Sequence, residues 1–375
     1  MRTALGFALA AVLGWGLGPP LQQAGAAVIQ DSQPQAAAEE QEPAMEKSSC
    51  EDVRSARAAQ RKQWGSLGFY KNTGDSKAVK VLRECRYRGY IKTYDNSAKG
   101  CDREVDATSL KNMKHSFRWI RRCNKIRKQR GLRELKITDL NMAQAQANAD
   151  YSDQNIHHAE QFRNSAENAA WVWSEREDPF DYWYSVEKKQ FEKYCRDRRY
   201  PGLRHMTAYQ VYKKYPRIFK QVGHYLNIID PSLKTTGFAR CDRGSKYNYT
   251  YIQVFDSRAP GRAWSAAQYE RKFNLYCAGE LFPQRPQLKA VRSGRGTIRA
   301  VWNTAVGAQG YQIRFSRKKS MHHARCRRAG AAAYQKTVSG VKRHKKYYLQ
   351  VRAWRNIDGS RYYSAWSQKK LCRVK

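Results

Sequence analysis

Between Thr108 and Gly131, apolar residues recur at helical spacing: Leu110, Met113, Phe117 and Ile120 form one stripe behind a Ser/Thr cap, and Gly131 supplies a stop. Continuing that stripe reaches Asn124 and Arg127, polar side chains on the face a helix buries. Their burial costs a few kcal/mol unless they are hydrogen-bonded, so both are expected to be structural anchors. A second helix is predicted from Asp139, with Leu140, Ala143 and Ala147 on one side. A third is predicted over "DPFDYWYSVEKKQFEKY", where Asp178 and Pro179 provide a cap and a first turn. Alternation then takes over in "HYLNII", "TTGFAR" and "YNYTYIQVF", separated by turns at "DPSLK" and "DRGSK". His224 opens the first of these expected strands, with Gly223 before it permitting close approach to a neighbour. Helices followed by antiparallel strands indicate an α+β fold rather than a parallel βαβ sheet.

From Pro286 the pattern changes. "PQLKAV", "TIRAVWN", "GYQIRFS", "KTVSG" and "KYYLQVRAW" are short alternating segments with turn residues between them, the signature of an all-β sandwich. Tyr347, Leu349, Val351 and Ala353 alternate onto one face.

Length and composition agree with two domains: 375 residues, 41% apolar, with 24 Tyr, 12 Phe and 10 Trp. Residues 1–26 read as a signal peptide, with Arg2, the run "ALGFALAAVLGWGLG" and small residues at Ala24 and Ala26, so the chain is expected to be secreted and soluble once processed. Residues 27–49 lack aromatics and periodicity and read as a disordered linker, and residues 50–107 suggest short irregular structure without a functional reading. Nine cysteines contain no CxxC pair, which argues against zinc ribbons and thioredoxin-like chemistry. Export permits disulfides, and Cys85 with Cys101 is the leading candidate pair.

Charge adds a partner class. The net charge is +39, and residues 286–375 hold 23 Lys plus Arg against one acid, Asp358. Such a field concentrates anionic wall polymers, acidic glycans, anionic cell surfaces or, without specificity, nucleic acid, and does not choose among them. Because alternate residues of a sandwich face water, the basic runs "RFSRKK", "ARCRR" and "VKRHKK" are equally a solvated surface.

The last 90 residues resemble a fibronectin type III domain: Trp302 matches that family's core tryptophan and the Val341–Tyr347 spacing its tyrosine corner. Residues 108–258 resemble the CAP superfamily, the SCP-like fold of cysteine-rich secretory proteins, antigen 5 and pathogenesis-related proteins, with the flavour of exported bacterial members. "GHYLNII" is similar to that family's GHYTQIV signature, "AEN" at 166–168 to its GEN, and "CNKIRKQRGLRELKI" to its opening helix and exit. Cys123, Ala166 and Asp230 depart from the family pattern, and the second cysteine-bearing signature is absent from "YIQVFDSRAPGR".

The resemblance implies an α-β-α sandwich with a central cleft, joined through a connector at 259–285 to the fibronectin-like module. It further implies a cleft set of His224, Glu167, His158 (with His157 as rival) and Glu187, able to hold zinc or another divalent metal, with Asn168 structural. Two imidazoles and a carboxylate can hold zinc with an open water position and a second carboxylate as base, which would make a metal-dependent extracellular hydrolase with Glu167 and Glu187 as catalytic candidates. The same set equally serves a non-enzymatic binding protein, or a structural polar network. The expected role is binding at the cell envelope or in the extracellular space, with hydrolysis the alternative.

Overall fold

The computed structural model describes residues 64–93, 104–242, 244–259 and 261–375, so the expected signal peptide and linker lie outside the described residues, as does Cys101. Two compact units divide at Ala266/Ala267, within the segment expected to be a connector. That segment carries a short strand and a helix of its own.

In the first unit, helix α1 (Ser76–Glu84) starts on Asp75, whose Oδ1 accepts from Ala78 N at 2.9 Å. Helix α2 (Leu110–Gln129) starts on Ser109, whose Oγ accepts from Asn112 N at 3.1 Å. Strand β1 (Lys136–Thr138) passes directly into α3 (Asp139–Asn155), capped by the Thr138 hydroxyl. Strand β2 (Ala166–Val172) follows, then a π-helical turn (Asp181–Val186), α4 (Glu187–Arg196), α5 (Ala208–Lys214) and α6 (Pro216–Ile229). Strands β3 (Thr235–Asp242), β4 (Tyr249–Asp256) and β5 (Ala263–Trp264) complete the sheet in the order β2-β4-β3-β1-β5. Only β1 with β3 runs parallel among these pairings.

The pleat of β3 separates the two helical layers. Gly237, Ala239 and Cys241 meet α3 through its small residues Ala145 and Ala149. Gly237 is required there, because an added Cβ would sit 2.1 Å from the Asn141 carbonyl oxygen. On the other face Phe238 packs with Trp119 of α2 and with Trp183. The unit is therefore an α-β-α sandwich.

One sequence expectation is corrected. "HYLNII" is not a strand; it is the end of α6, whose buried side is Ile218, Phe219, Val222, Tyr225 and Leu226. That spacing is helical from Pro216 onward, a proline at the first helical position. Gly223 accordingly lies inside the helix, where its missing Cβ makes room for the Phe219 ring. Cys85, Cys123, Cys195, Cys241, Cys326 and Cys372 are free thiols. Among the described residues no helix is long and apolar enough to cross a membrane.

The second unit opens with helix α7 (Ala266–Cys277), nearly all of which belongs to it, and continues as an all-β sandwich. One sheet has the order β10-β7-β6, built from β6 (Leu288–Gly294), β7 (Thr297–Trp302) and β10 (Gln335–Ser339). The other has the order β12-β11-β8-β9, from β8 (Gly310–Ser316), β9 (Arg325–Gly330), β11 (Lys346–Ile357) and β12 (Ser360–Tyr363), with β13 (Lys370–Arg373) also on β11. Trp302, Ile313, Leu349 and Val351 are buried between them, and Tyr347 Oη accepts from Lys342 N at 3.1 Å.

Strand register collects cations at one end of this sandwich. Ser316 pairs with Tyr348, Phe315 with Arg325 and Lys346 with Arg373, so the exposed runs Arg317–Lys319 and Lys342–Lys346 emerge together. Arg314 and Arg352 do not join them. Their guanidinium groups lie 4.2 and 4.4 Å from the Trp366 ring centroid, a cross-strand stack.

Candidate functional site

Strand β2 is an edge strand, and its alternation sends neighbouring residues to opposite layers. Glu167 turns to the α3 side. Its Oε1 lies 2.6 Å from His158 Nδ1, and its Oε2 accepts from Asn148 Nδ2 of α3 at 2.5 Å. Gln161 Nε2 in turn donates to Asn148 Oδ1 at 2.9 Å, fixing the amide.

Asn168 turns to the α6 side. Its Nδ2 donates to the His224 carbonyl at 3.3 Å, and its Oδ1 accepts from Asn227 Nδ2 at 2.9 Å. His224 Nδ1 lies 2.6 Å from Glu187 Oε1, while Glu187 Oε2 accepts from Tyr225 N at 2.9 Å. The His224 ring stacks on Trp183 at 5.9 Å, and Trp183 Nε1 donates to Ala169 O of β2 at 3.0 Å. Trp183 sits on the π-helical turn that delivers the chain into α4 and Glu187, a local widening of the kind that recurs at functional sites.

The four expected residues therefore form two matched His–Glu pairs, with Asn168 bonded on the His224 side. The His158 and His224 side chains are 6% and 12% exposed and their glutamates 13% and 10%, so the pairs are largely desolvated. A carboxylate only accepts, so in each pair the Nδ1 that faces it carries a proton and Nε2 is the ring's remaining nitrogen. Neither Nε2 has a partner among the described residues. His157 plays a different part: its Nε2 meets Tyr151 Oη at 3.2 Å and its Nδ1 the His158 carbonyl at 2.7 Å, so both nitrogens are occupied.

Orientation of Nδ1 by a carboxylate is also how metal-binding histidines are held. Among the described residues, however, no group of three or more His, Cys, Asp or Glu stands where it could hold a metal ion. Each carboxylate is committed to its own imidazole, so the quartet as it stands does not make a four-ligand centre.

Asn148, Gln161 and Trp183 escaped sequence reasoning. The available signal was α3 itself, which buries Asn141, Gln146, Asn148, Asp150 and Asp153 among alanines. A helix polar all round with small residues to allow close approach has to satisfy those groups inside the protein.

Asn124 and Arg127 act as anchors. Asn124 exchanges two hydrogen bonds with the Leu135 backbone at 3.0 and 2.9 Å. Arg127 donates to Arg133 O, Ile228 O and Asp230 O at 3.0, 2.8 and 2.9 Å, tying the end of α6 to α2. Cys123 is fully buried, and burial pushes its thiol up to about 11, which leaves it inert.

The family model described as CAP, Cysteine-rich secretory protein family, matches residues 120–255, the span that holds α2's end, both His–Glu pairs and the sheet apart from β5 and the last residue of β4. No curated protein matches the chain. Among solved structures, the fn3 domain of human contactin 1 is similar at 15% identity, covering 24% of this chain and 77% of that chain with a TM-score of 0.21. An Fn3-like protein from Clostridium thermocellum is similar at 23% identity, covering 25% of this chain and 94% of that chain, also with a TM-score of 0.21.

Proposed function

We propose that the chain is an exported binding protein of the cell envelope or extracellular space, in which the two imidazoles beside β2 receive a small ligand or a divalent metal. The observation that carries this reading is that each histidine is oriented through Nδ1 by a largely desolvated glutamate while its Nε2 has no partner among the described residues. A purely structural histidine normally satisfies both nitrogens, as His157 does. The second unit holds the protein to an anionic wall polymer, glycan or cell surface through the cationic end formed by Arg317–Lys319 and Lys342–Lys346. In support, the unit's acids Glu270, Glu280 and Asp358 lie outside those runs, and Asp358 faces Arg271 at 3.5 Å.

The test is calorimetric titration of the full chain with zinc, alongside metal analysis of the purified protein. Saturable binding lost in the His158→Ala/His224→Ala double variant supports the reading. A double variant that only melts earlier, with no metal bound by either protein, overturns the metal half. For the surface half, retention on anionic polymer beads is expected to fall steeply with salt and with charge reversal at Lys318, Lys319, Lys345 and Lys346. Salt-independent retention overturns it.

A further inference from the structure

A second recess in the first unit has chemistry of its own. Asp150 and Asp153 lie two and five residues beyond Asn148 on α3, and point away from the His–Glu pairs into a cavity of about 350 Å³. Asp106, Asp242, Tyr90 and Lys92 also line it. In a chain of charge +39, four aspartates converging on one cavity calls for a physical reason.

Asp242 is already neutralised by Lys111 Nζ at 2.9 Å and Arg240 Nε at 2.6 Å. Asp106 accepts from Thr93 N at 2.6 Å and from the Lys92 amide. Asp153 accepts from Thr250 Oγ1 at 2.7 Å and Gln154 Nε2 at 3.0 Å. Asp150 Oδ1 accepts from Ala107 N at 2.7 Å, but its Oδ2 is buried with no partner among the described residues, the residue being only 2% exposed. Neither Asp150 nor Asp153 has a cationic partner among the described residues. A buried oxygen without a donor destabilises the fold, so a site that keeps one is a site that something else completes.

We propose that this cavity binds a small organic cation, an ammonium or guanidinium group on a short chain, with Asp150 Oδ2 as its principal acceptor and Asp106 and Asp153 beside it. The volume suits several non-hydrogen atoms rather than a bare ion. No described group of three acids stands at metal-ligating spacing. Tyr90, edge-on to Tyr151 at 5.2 Å, gives the recess an aromatic wall against which a cation is favoured.

Protons occupy the cation's place when it is absent. Burial raises Asp106 to about 7 and Asp153 to about 6, and raises Asp150 well above the ordinary range, with Asp106 and Asp150 repelling each other. The other charged or titratable groups facing them are Lys92 before the α2 segment, Lys111 on α2, Arg240 and Cys241 on β3, and Cys85 after α1. Binding a cation at neutral pH therefore expels protons.

Titration calorimetry of the full chain with 1,4-diaminobutane, agmatine and calcium chloride, at pH 5.5 and 7.5 in buffers of different ionisation enthalpy, tests this. The amines are expected to bind one site at least about tenfold more tightly at the higher pH, with proton release. Asp150→Asn abolishes binding, Tyr90→Ala weakens it, and His158→Ala/His224→Ala leaves it unchanged, which separates this site from the His–Glu pairs. No amine binding at millimolar concentration, full binding by a folded Asp150→Asn variant, or calcium binding in place of the amines overturns the proposal.

Discussion

Replacing Arg127 with methionine tests whether a single buried guanidinium holds the His224 helix in place. Arg127 is 0% exposed and donates to three carbonyls within 3.0 Å, those of Arg133, Ile228 and Asp230, with a longer contact to Leu233 O at 3.4 Å. Methionine keeps the apolar stem and removes every donor. Loss of the donor to the buried Ile228 carbonyl costs about 2 kcal/mol and loss of the part-buried bonds to Arg133 O and Asp230 O about 1 kcal/mol each, roughly 4 kcal/mol in all. Relief from desolvating the guanidinium, which burial opposes strongly enough to lower its pKa, returns part of that. The expected net loss is about 3 kcal/mol, read as a drop in the urea midpoint of the first unit. Lysine should not rescue, because one ammonium cannot reach all the carbonyls spread around the edge of the guanidinium plane. Ile228 lies one turn beyond His224, so the His224 imidazole resonances should move in the same variant. A loss under about 1 kcal/mol with unchanged His224 resonances would refute the reasoning.

Gly237→Ala is expected to abolish folding of the first unit, since its Cβ would lie 2.1 and 2.2 Å from the Asn141 carbonyl atoms and 2.5 Å from Met142 N, all backbone; a soluble variant with a native melting curve refutes this. The first unit should lose stability as pH rises from about 4 through 6. Asp153 is held near 6 in the folded state against 3.8 ordinarily, so its stabilising proton is fully present below 3.8 and lost as pH climbs through 6. The loss is at most about 3 kcal/mol for that residue, and Asp153→Asn should flatten the dependence of Tm on pH.

Legibility in the sequence followed the kind of signal each feature sends. The α2 stripe and the sandwich strands could be read from periodicity because burial on one face writes itself into every third or second position. Asn124 and Arg127 were legible as violations of that stripe, and their carbonyl partners explain the violation. "HYLNII" misled because its six residues contain a run of apolar positions short enough to pass for a strand. Starting at Pro216, with Ile218, Phe219 and Val222 included, gives the helical period instead. The choice between His157 and His158 was invisible locally, since adjacent histidines differ only in which partners the fold brings to them. The acidic recess was hidden for a different reason: Asp106, Asp150, Asp153 and Asp242 come from a loop, a helix and a strand, and nothing in their spacing announces that they meet.

The two His–Glu pairs share a plan that makes the glutamates more than counter-charges. Each carboxylate gives one oxygen to Nδ1 and the other to the scaffold, Asn148 Nδ2 for Glu167 and Tyr225 N for Glu187. Glutamine at either position keeps the shape but can accept on only one side. In Glu187→Gln the backbone amide of Tyr225 cannot change roles, so the amide oxygen must turn toward it and the NH₂ toward His224. The imidazole then accepts at Nδ1, its proton moves to Nε2, and the lone pair that faced outward is lost. Nitrogen-15 spectra of the imidazole should report the exchanged tautomer, and any metal or acceptor-dependent ligand binding at His224 should fall without a matching fall in melting temperature. Binding that persists with the tautomer exchanged would mean that Nε2 of His224 is not the recognising atom.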